Sequence, residues 1–112
     1  MNQIIKFWID DVRPAPSGYT HIKSVDEFLL NFYKAIADNI KIDLISFDHD
    51  AGDFFYKGGD YIKCLDIIEE YSRTSEEAKQ IVNQINFNIH SMNPVGRANM
   101  ERIIRKNGWR YI

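Results

Sequence analysis

The stretch DLISFDHDAGD, residues 43–53, decides the fold of this chain. Its first half is an apolar run that is typical of a strand buried on both faces. Asp48, His49 and Asp50 follow that run directly. In an open parallel α/β sheet, the carboxyl ends of the strands and the loops after them form the ligand crevice. We therefore expect these three side chains on that edge of the sheet, which is called the rim below.

Two other strand-like runs end in polar residues in the same way. Residues 4–9 (IIKFWI) lead into an acidic pair, and residues 87–89 (FNI) lead into a histidine and a serine. These polar residues are Asp10, Asp11, His90 and Ser91. Because parallel strands end at the same edge, three runs with polar ends predict one shared site on the rim.

Length and composition predict one soluble domain. The chain has 112 residues, which is enough for one core, so we expect a single domain over residues 1–112. The net charge of −2 indicates no broad surface for a DNA duplex or an anionic membrane. The chain contains no apolar run of membrane-spanning length, and Cys64 is its single cysteine. We therefore expect a cytoplasmic protein.

Helical periodicity and capping residues predict helices between the strands. Ser24 and Glu27 have the spacing of a capping box before a first helix. Asp60 is the expected cap of a second helix, over residues 61–71, and residues 75–82 form either a short helix or its extension. The expected buried stripe of the first helix is Val25, Phe28, Leu29, Phe32 and Ile36.

The last helix has the clearest start. Asn93 is the expected cap, Pro94 occupies the first helical position, and Gly108 ends the helix before a short edge strand within residues 109–112. Alternating strands and helices predict a parallel sheet with helices on both faces, a three-layer αβα domain. The flavodoxin-like strand order 2-1-3-4-5 is expected. Between the first two strands, two prolines and a glycine within residues 13–18 predict a rigid loop in place of a helix.

This strand order brings Asp10 and Asp11 next to Asp48. Three neighbouring carboxylates repel one another unless a cation lies among them. Hard oxygen ligands suit Mg²⁺ or Mn²⁺. The open alternative is that these residues are ordinary polar loop residues.

The start of the last helix can bind an anion. Its free N–H groups and positive dipole end attract negative charge, Gly96 leaves space for an approach, and Arg97 can grip a phosphate. The alternatives are an ordinary helix start and a surface ion pair of Arg97. His49 and His90 can exchange protons at neutral pH, although structural imidazoles at strand ends are also common.

The motifs resemble a known family. The strings IDDVRPAP (9–16), FDHD (47–50) and IHSMNPVGRA (89–98) are similar to cyclic-phosphate-processing receivers, a divergent group of response-regulator receiver domains. The resemblance implies a receiver fold and an Mg²⁺-dependent phosphoric-ester hydrolase that acts on cyclic phosphates of RNA ends or nucleotide derivatives. It implies a metal site of Asp10, Asp11 and Asp48; catalytic residues Asp48, His49, Asp50, His90 and Ser91; and phosphate-binding residues Arg13, Ser91, Asn93, Gly96 and Arg97.

The chain departs from ordinary receivers in two ways. No lysine follows the last strand, where signalling receivers have one, and the first crossover helix is reduced to the Pro-rich loop. A non-catalytic receiver or pseudo-receiver that binds a protein therefore remains an alternative. The spacing of Asp48 and Asp50 also fits haloacid-dehalogenase-like phosphatases, but their motif follows the first strand. Phe54, Phe55 and Tyr56 could stack on a base or simply cover the core.

Overall fold

The computed structural model describes residues 3–112 as five strands and four α-helices around one core; the predicted domain also included residues 1 and 2, which lie outside the described residues. A 3-10 turn, Gly52–Phe54, follows the third strand. The elements are β1 (Ile4–Ile9), β2 (Thr20–Ile22), α1 (Val25–Ala37), β3 (Lys41–Phe47), α2 (Ile62–Ser72), α3 (Glu76–Asn83), β4 (Asn86–Ile89), α4 (Pro94–Lys106) and β5 (Arg110–Tyr111).

The five strands form one parallel sheet in the order β2-β1-β3-β4-β5. This confirms the predicted strand order and the receiver-like α/β fold. Trp8 of β1 pairs with Ser46 of β3, which pairs in turn with Asn88 of β4. The ends of these three central strands therefore lie side by side on the rim.

The core lies on one face of the sheet. Phe7, Ile45 and Phe87 point to this face and have no exposed surface. Phe28 of α1 meets Phe7 edge to face at a ring distance of 6.0 Å, and Trp109 stacks on Phe87 at 5.1 Å. Burying one such aromatic side chain contributes about 1.5–3 kcal/mol. These contacts fix the helix layer against β1 and β4, the strands that carry two parts of the rim.

The helices form a single layer. Helix α2 contacts α1, α3 and α4, and α1 and α4 pack on the core face of the sheet. Lys6, Trp8, Leu44, Asn86 and Asn88 point to the opposite face and are only partly buried. In this respect the fold differs from the expected three-layer αβα arrangement: within residues 3–112, no helix covers the second face.

The handedness of the connections explains the difference. The steps from β2 to β3, from β3 to β4 and from β4 to β5 all run in the same direction across the sheet. Right-handed crossovers place the connecting helices of such steps on the same face. Only the step from β1 to β2 runs the other way, and it is the predicted loop with Pro14, Pro16 and Gly18, whose φ is +88°.

Side-chain caps fix three of the helix starts. Ser24 accepts a hydrogen bond from the N–H of Glu27 at 3.0 Å, and Asn93 accepts one from Gly96 at 3.0 Å, as predicted. Ser75 accepts from Ala78 at 3.0 Å, so α3 is a separate helix and not an extension of α2. No described helix is both long and apolar enough to cross a membrane.

Three local expectations were wrong. Asp60 does not cap α2, which starts at Ile62 without a side-chain cap. The carboxylate of Asp60 instead accepts a hydrogen bond from the N–H of Ala51 at 3.1 Å. Leu29 is 40% exposed, because it lies beside the buried stripe of α1 and not in it. Ala35, which was not expected in this stripe, is buried. Strand β3 begins two residues earlier than expected, at Lys41, because its first residues pair with the start of β1.

Candidate functional site

Asp10 is the most enclosed carboxylate of the rim. It follows β1 and has no exposed surface. Its Oδ1 accepts hydrogen bonds from the backbone N–H groups of Val12 (3.0 Å) and Arg13 (2.9 Å), and its Oδ2 lies 3.0 Å from Nε2 of His90. Burial acts to raise the pKa of Asp10, but these hydrogen bonds outweigh it and hold that pKa below the usual value. Asp10 is therefore an ionised, preorganised carboxylate.

Asp10, Asp11 and Asp48 form an acidic trio. Each offers a carboxylate oxygen, and these oxygens lie within 4.8 Å of one another. Burial and the negative charges of Asp10 and Asp48 raise the pKa of Asp11. A divalent cation would relieve this repulsion, and an all-oxygen set fits Mg²⁺ or Mn²⁺. The donor chemistry of the trio thus fits the expected metal.

Gly52 makes room for the trio. Its backbone has a φ of +55°, and a β-carbon at this position would overlap Oδ2 of Asp11. Glycine is needed here both for the left-handed conformation and for the close approach. The turn after β3 therefore helps to hold the Asp11 carboxylate in place.

His90 is fully engaged in hydrogen bonds. Its Nε2 contacts Asp10, its Nδ1 lies 2.8 Å from Oγ of Ser46, and its ring stacks on Trp8 with centroids 3.7 Å apart and planes at 2°. Burial lowers the pKa of His90 although Asp10 acts to raise it. Since neither ring nitrogen is free, the geometry disagrees with the expected role of His90 as a proton carrier and favours a structural role beside Asp10.

His49 and Asp50 form a dyad that is open to the rim. Nδ1 of His49 lies 2.8 Å from Oδ1 of Asp50, and the amide of Asn93 lies 3.4 Å from both carboxylate oxygens. Because a carboxylate only accepts hydrogen bonds, Nδ1 carries a proton, and in the neutral imidazole the lone pair is then on Nε2. Nε2 has no hydrogen-bond partner within residues 3–112. His49 can therefore take up a proton from a bound molecule, as its residue type predicted.

Gly96 was expected to leave space for a bound anion, but the structure places a side chain of the protein beside it. The imidazole of His49 occupies the space beside Gly96, so that a β-carbon there would overlap the ring. Gly96 is buried and leaves room for a side chain of the protein, not for an anion. The sequence did not reveal this packing, because the two residues are distant along the chain.

The two arginines of the expected phosphate site differ. Arg97, in the first turns of α4, is exposed and forms no ion pair with another described residue, so the surface ion-pair alternative is wrong. Arg13 donates to the backbone oxygen of His90 at 2.9 Å and lies 3.9 Å from Oδ2 of Asp10. Arg13 thus ties the loop after β1 to the end of β4, whereas Arg97 is available to a ligand.

Ser91 and Asn93 shape the loop before α4. Oγ of Ser91 accepts a hydrogen bond from the N–H of Asn93 at 3.1 Å, which leaves its hydroxyl proton to be donated. Ser91 is 4% exposed. The side-chain oxygen of Asn93 caps α4, and its amide nitrogen contacts the carboxylate of Asp50. The loop therefore connects the helix start to the dyad.

Sequence reasoning missed two contacts below the rim. His21, on the edge strand β2, places Nε2 2.8 Å from the backbone oxygen of Asp10. Ser46 was read only as part of a buried strand, but it is the side-chain partner of His90. A hydroxyl inside an apolar strand was the available signal, because buried polar groups need hydrogen-bond partners.

A family model described as "Cyclic-phosphate processing Receiver domain" matches residues 5–106. The chain belongs to this family. The match includes all of the candidate site residues named above and confirms the suspected resemblance. Comparisons with curated proteins and with solved structures gave no match. In this cyclic-phosphate processing receiver domain, the acidic trio and the His49–Asp50 dyad share the rim.

Proposed function

We propose that this domain is a metal-dependent phosphoesterase that opens a cyclic phosphate on an RNA end or a nucleotide derivative. The observation that carries the proposal is the presence of two arrangements on one rim: three carboxylates suited to a divalent cation and a histidine with a free nitrogen. Family membership supports the substrate class. The two features supply the functions that hydrolysis of a phosphate ester requires, namely charge neutralisation and proton transfer.

The acidic trio would hold the metal. When bound, Mg²⁺ or Mn²⁺ neutralises charge on the phosphoryl oxygens. Asp10 is suited to this role because its backbone hydrogen bonds keep it ionised, and Asp11 because the positive charge would lower its raised pKa. Asp48 follows β3 and completes the set.

The phosphate would lie against the start of α4. The helix dipole, the hydroxyl proton of Ser91 and the guanidinium of Arg97 would bind its oxygens. Nε2 of His49 would accept a proton from a water molecule as its oxygen bonds to phosphorus. One of the two ester P–O bonds then breaks, and the oxygen that leaves takes up the proton that His49 accepted, directly or through water, so the product is a phosphomonoester and His49 is neutral again. Asp50 holds the His49 ring in the orientation that this transfer needs.

The direct test is hydrolysis of a nucleoside 2′,3′-cyclic phosphate with Mg²⁺ or Mn²⁺, followed by phosphorus NMR. The expected product is a monoester, and Asp48→Asn should abolish its formation. The matched control is Asp53→Asn, because Asp53 is an exposed carboxylate in the same loop but outside the trio. Absence of product with either metal, for the unmodified protein, would contradict the proposed activity.

A protein-binding receiver is the second candidate, and the surface of the rim favours it. Exposed large apolar residues follow β1, β3 and β4: Val12 (78%), Phe55 (59%), Tyr56 (75%), Met92 (81%) and Val95 (70%). Exposed apolar clusters often mark protein contacts. Treatment with acetyl phosphate and Mg²⁺ separates the candidates. A long-lived acyl phosphate on Asp48, detected by mass spectrometry, would favour the signalling receiver, whereas a phosphoesterase should show little.

A further inference from the structure

Ser46 is a buried hydroxyl that the proposed reaction does not use. It lies inside β3, is 2% exposed, and shares its row of the sheet with Trp8 and Asn88. Its Oγ lies 2.8 Å from Nδ1 of His90 and 3.1 Å from Oδ1 of Asn88, and its single proton can be donated to only one of them at a time. A buried hydroxyl in an apolar strand is costly unless it is hydrogen-bonded, so these contacts account for its presence.

The hydrogen bonds continue from His90 to the acidic trio. Nε2 of His90 lies 3.0 Å from Oδ2 of Asp10, whose Oδ1 already accepts two backbone N–H groups. A carboxylate oxygen has two lone pairs, so Oδ2 has one left for a further partner. The direction of this lone pair depends on where His90 holds the carboxylate.

Asp10, His90 and Ser46 contain the residue types of a hydrolase triad, but burial excludes nucleophilic catalysis by Ser46. No substrate can reach an Oγ that is 2% exposed and lies beneath a ring stacked on Trp8. In a nucleophilic triad the serine oxygen must contact the reacting carbonyl or phosphoryl group. The role of this hydroxyl is therefore exerted through His90.

We propose that Ser46 is a positioning residue for the metal site: by donating its hydroxyl proton to Nδ1 of His90, and not to Asn88, it keeps the Nε2–H of His90 directed at Asp10 and so orients the remaining lone pair of Oδ2 toward Asp11 and Asp48. The inference rests on the proposed metal-dependent function. Partners behind a metal ligand fix its orientation, and their loss typically lowers metal affinity about 10- to 100-fold. Without Ser46, the His90 ring can turn or change its tautomer, and either change places a C–H or a lone pair against Asp10.

The experiment compares Ser46→Ala with Ser24→Ala. Ser24 is similarly buried, at 3%, and its side chain also forms a hydrogen bond, but it caps α1 away from the trio. The first measurement is the Nε2–H signal of His90 in nitrogen-edited NMR of the metal-free protein. The second is Mn²⁺ affinity by calorimetry. Ser46→Thr retains the hydroxyl and is the conservative variant, and it gives a reading if Ser46→Ala does not fold.

We expect Ser46→Ala to lose or broaden the Nε2–H signal and to bind Mn²⁺ about tenfold more weakly. Ser24→Ala should lower the melting temperature but change neither measurement, and Ser46→Thr should behave as the parent does. An unchanged signal in Ser46→Ala overturns the inference, as does a lost signal with unchanged Mn²⁺ affinity. If the parent itself binds no Mn²⁺, the proposed metal-dependent function fails, and the NMR signal still decides whether Ser46 positions His90.

Discussion

The imidazole of His49 lies directly against the backbone of Gly96. Because residue 96 has no side chain, the His49 ring can contact the first turn of α4 at this point. Asp50 holds the same ring through Nδ1. The ring is therefore confined on two sides, while Nε2 has no hydrogen-bond partner among the described residues. The chemistry proposed for His49 depends on a glycine that is distant in sequence.

Replacing Gly96 with alanine should lower turnover by displacing the His49 ring. The new β-carbon would overlap the imidazole and disturb its bond to Asp50. Alanine favours a helix by about 1 kcal/mol over glycine, whereas overpacking costs about 1–3 kcal/mol, so the free energy of unfolding should fall by about 0–2 kcal/mol. Val95→Ala, an exposed position in the same turn, is the control for both activity and melting temperature. Full activity of Gly96→Ala would show that the position of His49 is unimportant.

The two histidines should give different losses. His49→Ala should reduce turnover about 10²–10⁴-fold, as expected for a general base, and leave Mn²⁺ affinity nearly unchanged. His90→Ala should instead weaken Mn²⁺ binding, because it removes the side-chain partner of Asp10. Steady-state kinetics together with calorimetry distinguish the two. A turnover loss without a change in metal affinity for His90→Ala would restore the original prediction that His90 carries the proton.

Divalent metal should raise the melting temperature. A cation that binds the folded trio but not the unfolded chain stabilises the protein by an amount that grows with the logarithm of its excess over the dissociation constant, about 2.7 kcal/mol at a hundredfold excess. Asp48→Asn should remove the effect and should also raise the metal-free melting temperature, because one of three repelling charges is lost. Differential scanning fluorimetry with and without Mg²⁺ measures both shifts. Equal melting curves for the parent at millimolar metal would speak against the site.

The repulsion in the trio predicts a specific pH dependence. Because the pKa of folded Asp11 is raised, the folded chain binds more protons than the unfolded chain between the usual aspartate pKa of 3.8 and the folded pKa. The contribution of Asp11 to stability is thus present below 3.8 and is lost as pH rises through the folded value. Asp11→Asn should therefore stabilise the metal-free protein at neutral pH, and urea unfolding should show this gain shrinking as pH falls. If the stability gain of Asp11→Asn does not depend on pH, it does not come from the raised pKa of Asp11.

Arg97→Ala should weaken binding of phosphate esters while barely affecting folding. Arg97 is exposed and has no ion pair among the described residues, and such surface changes usually alter stability by less than about 0.5 kcal/mol. Arg102→Ala is the control, because Arg102 is exposed on the same helix but contacts only Asn99. Ligand titration and thermal melts are both required. Parent-like phosphate binding by Arg97→Ala would remove this residue from the site.

Much of the fold could be predicted from local signals. The caps at Ser24 and Asn93 and the apolar runs of the strands act over a few residues, so the sequence shows them directly. The helix layering could not be read in the same way, because it depends on the direction of each crossover across the sheet. The Pro-rich loop and the strand order together contained that information, and the right-handed rule would have placed all remaining helices on one face.

The site was predicted in its composition but not in its contacts. Strand ends placed Asp10, Asp48 and His90 on one rim, since parallel strands share an edge. The partners of each ring nitrogen depend on side-chain rotation and on residues far apart in the chain, such as Gly96 for His49. For this reason, the different hydrogen-bond partners of His49 and His90 emerged only from the structure.

The position of β1 has a consequence for how the protein is made. This strand precedes its two neighbours in the chain yet lies between them in the sheet. On the ribosome, β1 can pair with β2 once residue 22 has been added, but its second neighbour, β3, is complete only at residue 47, and non-local parallel pairings of this kind form slowly. Asp10 thus emerges well before Asp48, and His90 emerges later still. The residues proposed to act together on the rim are among the last parts of the nascent chain to meet.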